Sequence, residues 1–172
     1  YYDSLHEVKG WVHLYLKPDI RSIIDLRLQL YKGSIIRSCN KLISISTVNP
    51  PGINYERITS VLAEVLRDLG FDVSEYRVPR DELSRYGLGE EFEDRINIIA
   101  VKRFGRPGRR IHIHTHYDIV PPGSGWIRDP FKPVIEEGRL YGRGASDMKS
   151  AIAASIYAIK ILEELNEELY LD

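Results

Sequence analysis

The chain has one cysteine, Cys39, among its 172 residues, which leaves no partner for an internal disulfide and excludes a multi-cysteine zinc site. Long apolar runs are missing. Stretches such as Ala151–Ala154 fall far short of the roughly 18 residues of a membrane span, and no signal-peptide pattern opens the chain. Neither sign of charge dominates, with 24 Lys and Arg against 25 Asp and Glu, so composition gives no reason to expect a nucleic-acid or membrane partner, nor an acidic tail. Repeats and low-complexity segments are absent too. What is present, 43% hydrophobic and 28% charged residues, describes a globular chain of one-domain size rather than a collagen-like or disordered one. A soluble, cytoplasmic protein is the expectation. Met148 is the only methionine and the chain begins Tyr1-Tyr2, so the sequence reads as part of a longer gene product.

Hydrophobic periodicity supplies the elements. Trp11–Leu16 alternates like a short strand, and Pro18-Asp19 is placed to open a helix with Ile20, Ile23, Ile24 and Leu28 on one face. From Lys32, the residues Ile35, Ile36, Cys39, Leu42 and Ile43 recur at three-and-four spacing, and Asn49-Pro50-Pro51-Gly52 is expected to stop that helix. A second helix should start with Asn54 as N-cap and carry Ile58, Leu62, Val65 and Leu69 to Gly70. Phe71–Val78 reads as a strand and Pro79–Asp94 as a loop. Asn97–Arg103 and Arg110–His116 read as two strands joined by the turn Gly105–Gly108. A Pro/Gly-rich stretch follows at Pro121–Pro133, then a short hairpin of Val134–Glu136 and Arg139–Tyr141. A long Ala- and Ile-rich helix is expected over about Asp147–Leu165. Helices alternating with strands give an α/β layered sheet with flanking helices.

The chemistry concentrates in two stretches. In Ile111–Gly123, I-H-I-H-T-H-Y-D-I-V-P-P-G, a regular strand would project His112, His114, His116 and Asp118 to one side, and four polar groups on one face do not describe a core. Imidazole is the commonest protein ligand for a transition metal, and a carboxylate two positions on can take the hydrogen bond of its other nitrogen. A histidine on a strand is also often only solvated or hydrogen-bonded, which fits His112 and His114; His116 differs in lying at the strand's C-terminal end beside a loop, where α/β sheets place their sites. In Leu140–Lys149, L-Y-G-R-G-A-S-D-M-K, two glycines permit close backbone approaches. Asp147 stands at the mouth of the long helix, either as an N-cap with Ser146 or as a ligand.

Together, H-x-D-x-V-P-P-G at His116–Gly123, W-x-x-D-P-F-x-P at Trp126–Pro133 and G-x-L-Y-G-R-G-x-x-D-M-K at Gly138–Lys149 resemble the co-catalytic zinc metallopeptidases that include acetylornithine deacetylase, succinyl-diaminopimelate desuccinylase, glutamate carboxypeptidase and aminoacylase. Upstream, Leu42–Gly52 is similar to the segment closing that family's first helix. The resemblance runs from residue 32 to the C-terminus, so residues 32–172 are expected to be the N-terminal part of the catalytic domain, with residues 1–31 unassigned. It implies that His116 ligates one metal, that Asp147 bridges two, and that Asp118 orients His116 as a catalytic residue. It also implies a cis peptide after Asp147, and packing of Trp126, Pro130 and Phe131 around the site. Ser150 departs from the more usual glycine. The implied cofactor is zinc, two ions per full site, with cobalt or manganese compatible with the same donors.

Such a pair of ions can lower the pKa of a shared water to about 7 and polarise a scissile amide carbonyl. A glutamate general base is still required, and by resemblance it follows later in the chain. Only 25 residues follow Asp147; Glu163-Glu164 and Glu167-Glu168 sit at a helix end whose dipole disfavours negative charge. The expectation is therefore an inactive fragment of an amide hydrolase for N-acyl amino acids or short peptides, homodimeric at full length. Two alternatives stand beside it. One is a barrel amidohydrolase using His114 and His116 as an H-x-H pair, although a barrel needs about 250 residues. The other is a non-catalytic relative serving as an interaction module.

Overall fold

A computed structural model describes residues 18–90, 92, 94–103, 108 and 110–165; the strand expected at Trp11–Leu16 lies outside them. The chain divides into two compact units, residues 1–34 and 35–172, and the packing described below is that of the second.

The two helical stretches expected around Tyr31 are one element, α1, running unbroken from Pro18 to Ile43. It ends six residues before Asn49, earlier than the Pro-Pro signal implied. The cause is tertiary: Thr47–Asn49 is drawn alongside Tyr117–Ile119, where Ile119 N–H donates to Thr47 O at 3.0 Å and Asn49 N–H donates to Ile119 O at 2.8 Å. These bonds form a parallel bridge between Val48 and Ile119.

Helix α2, Tyr55–Asp68, buries Tyr55, Ile58, Thr59, Leu62 and Ala63 on one stripe. Its end follows the expectation. Gly70 N–H returns to Arg67 O and Phe71 N–H to Leu66 O, the paired bonds of a Schellman termination. Its start does not, because Asn54 has φ 60° and no side-chain capping bond. Its amide Nδ2 donates instead to Ser46 O at 2.7 Å, tying the helix to the strand-like segment before it.

Strand β1, Asp72–Arg77, pairs antiparallel with β2, Ile96–Val101, placing Asp72 opposite Val101 and Arg77 opposite Ile96. This corrects two expectations. The connection read as loop contains a short helix, α3, Arg80–Arg85, and the partner of β2 is β1 rather than Arg110–His116. Residues 110–116 form no strand among the described residues. Ile111 and Ile113 are exposed, so the segment has no buried face to fix a register, and it gains backbone partners only further on, at Ile119. The short hairpin is as expected, with β3, Val134–Glu136, against β4, Arg139–Tyr141.

Helix α4, Ser150–Glu164, starts three residues later than its apolar pattern implied. Ile152, Ala153 and Ile156 pack with Cys39, Leu42 and Ile43 from the end of α1, with Ile45 just beyond it, and with Ile58 and Leu62 of α2. Burial of each such aliphatic side chain contributes about 1.5–3 kcal/mol, and this cluster fixes the base on which the loops at 47–52, 116–123 and 142–149 rest. No helix among the described residues is long and apolar enough to cross a membrane.

Gly52 marks a close approach. Its φ is +92°, and a Cβ there would stand 1.7 Å from Arg95 Nη1. Gly52→Ala is therefore expected to cost at least the roughly 1–3 kcal/mol of a left-handed non-glycine residue and to push the Arg95 guanidinium from its seat. A lowered midpoint in thermal unfolding checks this; an unchanged midpoint would mean that the loop shifts freely.

Candidate metal centre

His116 and Asp147 reach the same cleft from different elements. His116 ends the extended segment after residue 110, and Asp147 lies in the turn Ala145–Lys149 that leads into α4. The turn is helical at its ends only: Asp147 (φ −129°, ψ 97°) and Met148 (φ −139°, ψ 32°) leave helical geometry, and the Asp147-Met148 peptide is cis. Asp147 is thus no N-cap. Helix α4 begins beyond it without a side-chain capping bond, and the Asp147 carboxylate is 85% exposed, turned toward the cleft. Gly144 lets this turn lie against Ile119, since a Cβ on it would come within 2.6 Å of the Ile119 side chain and its φ is +83°.

The imidazole of His116 is held at both nitrogens. Nε2–H donates to Asp147 Oδ1 at 3.0 Å. Nδ1–H points to Asp118, 3.1 Å from the backbone oxygen and 3.2 Å from Oδ1. Burial alone would lower the imidazole's pKa, but the hydrogen bonds from the Asp118 backbone and Asp147, with the charges of both carboxylates, outweigh it and raise the value. A doubly donating imidazolium is the form that satisfies both contacts.

Around this pair lies a cleft of about 100 Å³ lined by His116, Asp118, Ile119, Val120, Arg143 and Asp147. Behind Arg143 lies the loop Pro121–Pro133. Arg143 Nη2 donates to Pro122 O at 2.8 Å, its guanidinium lies over the Trp126 ring at 5.3 Å, and Trp126 Nε1 also donates to Pro122 O. Arg143 N–H bonds Pro130 O at 2.8 Å. The G-R-G stretch and the W-x-x-D-P-F stretch are therefore one structure.

His112 and His114 are not brought to this cleft. Their rings meet each other edge to face at 6.0 Å, and neither lines it.

Sequence reasoning missed the residues that hold Asp118 and Asp147. Asn49 Nδ2 donates to Asp118 Oδ2 at 3.1 Å; in the sequence Asn49 reads only as part of a helix stop. Thr47 Oγ1 donates to Tyr117 O at 2.5 Å. Lys149, fully buried, donates from Nζ to Leu42 O at 3.0 Å and Ile45 O at 2.6 Å. A lysine just ahead of the apolar run Ala151–Ala154 is the one sequence signal for the last of these.

The donor set can be tested for a divalent ion. Two donors at about 2.0–2.1 Å from a tetrahedral zinc stand about 3.3 Å apart, and His116 Nε2 and Asp147 Oδ1 are 3.0 Å apart. Nitrogen and oxygen donors, with the outer imidazole nitrogen fixed by a carboxylate, suit zinc chemically. Their number is two, and the described residues contain no group of three His, Cys, Asp or Glu side chains arranged for one ion. The chain presents part of a metal site.

His116, at the end of an unpaired segment, and Asp147, in the turn before α4, converge on one cleft, and the comparisons with known proteins bear on the same stretch. Residues 112–170 match the model of peptidase family M20/M25/M40. It is 40% identical over 117 residues to a succinyl-diaminopimelate desuccinylase of Anaplasma marginale, an alignment covering 67% of this chain and 28% of that protein. It is 32% identical over 150 residues to an N-formyl-4-amino-5-aminomethyl-2-methylpyrimidine deformylase of Bacillus subtilis, covering 85% and 32%. Among solved structures, human carnosine dipeptidase 1 superposes with a TM-score of 0.65 at 22% identity, covering 86% of this chain and 32% of that one. The Saccharomyces cerevisiae di-peptidase Dug1p gives 0.66 at 20% identity with the same coverage. These likenesses show the fold. The chain spans less than a third of the length of these relatives.

Proposed function

We propose that residues 32–172 supply part of the catalytic domain of a metal-dependent hydrolase that cleaves an amide bond in an N-acyl amino acid or a short peptide. The observation that carries this reading is the convergence of His116 Nε2 and Asp147 Oδ1, 3.0 Å apart, with the other imidazole nitrogen held by Asp118. Relatives named as a desuccinylase and a deformylase support acyl–amide chemistry.

In this reading His116 and Asp147 would hold the metal. Zinc suits these donors, and cobalt or manganese are accommodated by them. When bound, the ion supplies Lewis-acid polarisation of the carbonyl and an acidified water. Asp118 keeps the Nδ1 proton of His116 in place, so Nε2 faces the cleft as the ligating nitrogen. The Arg143–Trp126 stack ties the G-R-G stretch before Asp147 to the loop Pro121–Pro133. The general-base glutamate is assigned to a part of the protein other than these residues. A small-molecule substrate and a homodimer are carried over from the family resemblance alone.

The test uses the full-length protein, dialysed against a chelator and reconstituted with zinc, on N-acetylornithine, succinyl-diaminopimelate and a dipeptide. The expected result is hydrolysis of at least one, lost on chelation and restored by metal. Turnover indifferent to chelation, or no turnover of any amide by the metal-loaded protein, overturns the reading.

A further inference from the structure

We infer that Asn49 and Arg95 are positioning residues that act on His116 through Asp118; this rests on the metal reading above. A carboxylate that orients an imidazole must itself be fixed, since a freely rotating Asp118 would offer either oxygen or neither to Nδ1–H. Two contacts divide its oxygens: Oδ1 is 3.2 Å from His116 Nδ1, and Oδ2 accepts from Asn49 Nδ2 at 3.1 Å.

The Asn49 amide is oriented in turn. Its Oδ1 accepts from Arg95 Nη2 at 3.1 Å. Arginine can only donate, so the amide oxygen must face Arg95 and the NH₂ must face Asp118. Reversing the amide would set two donors against each other on one side and two acceptors on the other.

Arg95 is seated by groups unrelated to the metal cleft. Nη2 also donates to Pro51 O at 2.9 Å, and the guanidinium lies 5.0 Å from the Tyr55 ring centroid and 5.6 Å from that of Phe92. Gly52 has no side chain to obstruct it. Its Nη1 is buried without a hydrogen-bond partner, a cost in desolvation that surface loop packing does not require. Two donors, Asn49 and His116, converge on the Asp118 carboxylate, and Arg95 fixes the first of them. The backbone N–H of Asn49 is separately bonded to Ile119 O, so changing the side chain leaves the bridge between 48 and 119 in place.

The experiment measures Zn²⁺ affinity of the metal-free, full-length protein by competition with a chromophoric chelator. The variants are Asn49→Ala, Asn49→Asp, Asp118→Ala, Asn49→Ala with Asp118→Ala, and His116→Ala, with thermal unfolding as the control for folding. Loss of an outer partner of a metal-bound histidine costs about 10–100-fold in affinity, and Asn49→Ala is expected to lose about 10-fold. Asn49→Asp keeps the shape of the side chain but sets a carboxylate against Asp118, so it is expected to lose at least as much. A residue that only filled space would tolerate this replacement. The double variant is expected to be no weaker than Asp118→Ala alone, because residues acting through one another are non-additive. Wild-type affinity in Asn49→Asp, or additive losses in the double variant, overturns the inference while leaving the metal reading intact. An unchanged affinity in His116→Ala would sink the metal reading itself.

Discussion

His116→Ala and Asp147→Ala are each expected to lower zinc affinity by more than the 10–100-fold that an outer partner costs, while His112→Ala and His114→Ala stay near wild type. His116 Nε2 and Asp147 Oδ1 are the two donors that meet in the cleft, whereas the rings of His112 and His114 meet each other. Isothermal titration of the metal-free full-length protein with zinc measures all four. Loss in His114→Ala equal to that in His116→Ala would restore the H-x-H pair as the metal site. Proton competition adds a second observable. In the metal-free form the raised pKa of His116 reflects an imidazolium bonded at both nitrogens, and a ligating Nε2 must give up its proton. Affinity should therefore fall as pH drops through that raised value. The linkage to folding has the opposite sense: the stabilisation from protonated His116 is fully present below the ordinary histidine pKa and is lost as pH rises through the raised one. Asp147→Ala removes one of the partners that raise it and should flatten both profiles.

The readable parts of the sequence were those whose signal is local. The stripe of α2 and the Gly138 hairpin form as their patterns imply, because each is decided by residues within a few positions of one another. The likeness of His116–Gly123 and Gly138–Lys149 to a known family led to the two residues that converge. What was not legible depends on distant chain. Arg110–His116 has the alternation of a strand but no ladder, since pairing is a property of the neighbour and not of the segment. The end of α1 was misplaced because the bonds from Ile119 and Lys149 that draw the chain away lie more than 70 residues further on. Asn49 looked like punctuation before two prolines; its partner Asp118 is 69 positions away. Asp147 was ambiguous between cap and ligand until backbone dihedrals showed it outside the helix.

Lys149→Ala is expected to destabilise the protein by about 3–5 kcal/mol, and Lys149→Met to recover most of the packing while abolishing a pH dependence. Alanine removes a fully buried side chain, which leaves a cavity costing roughly 2–5 kcal/mol. It also strips the carbonyls of Leu42 and Ile45 of their donor, at about 1–3 kcal/mol for a buried group left unpaired. Part of this is returned, because the wild type holds its ammonium out of water: burial pushes the Lys149 pKa down from 10.5 to about 8. Between those values the unfolded chain binds more protons than the folded one, so wild-type stability should rise with pH across that window. The rise approaches about 1.4 kcal/mol per pH unit at most. Lys149→Met has no such proton, and subtracting its denaturant-derived stability at each pH cancels every titration that both proteins share. A wild-type minus methionine difference that stays flat from pH 8 to 10.5 would show that Lys149 is solvated in solution. The position matters for the cleft as well. Lys149 is two residues from Asp147 and is bonded to the carbonyls just ahead of Thr47–Asn49, so one buried ammonium ties the turn carrying Asp147 to the segment that holds Asp118.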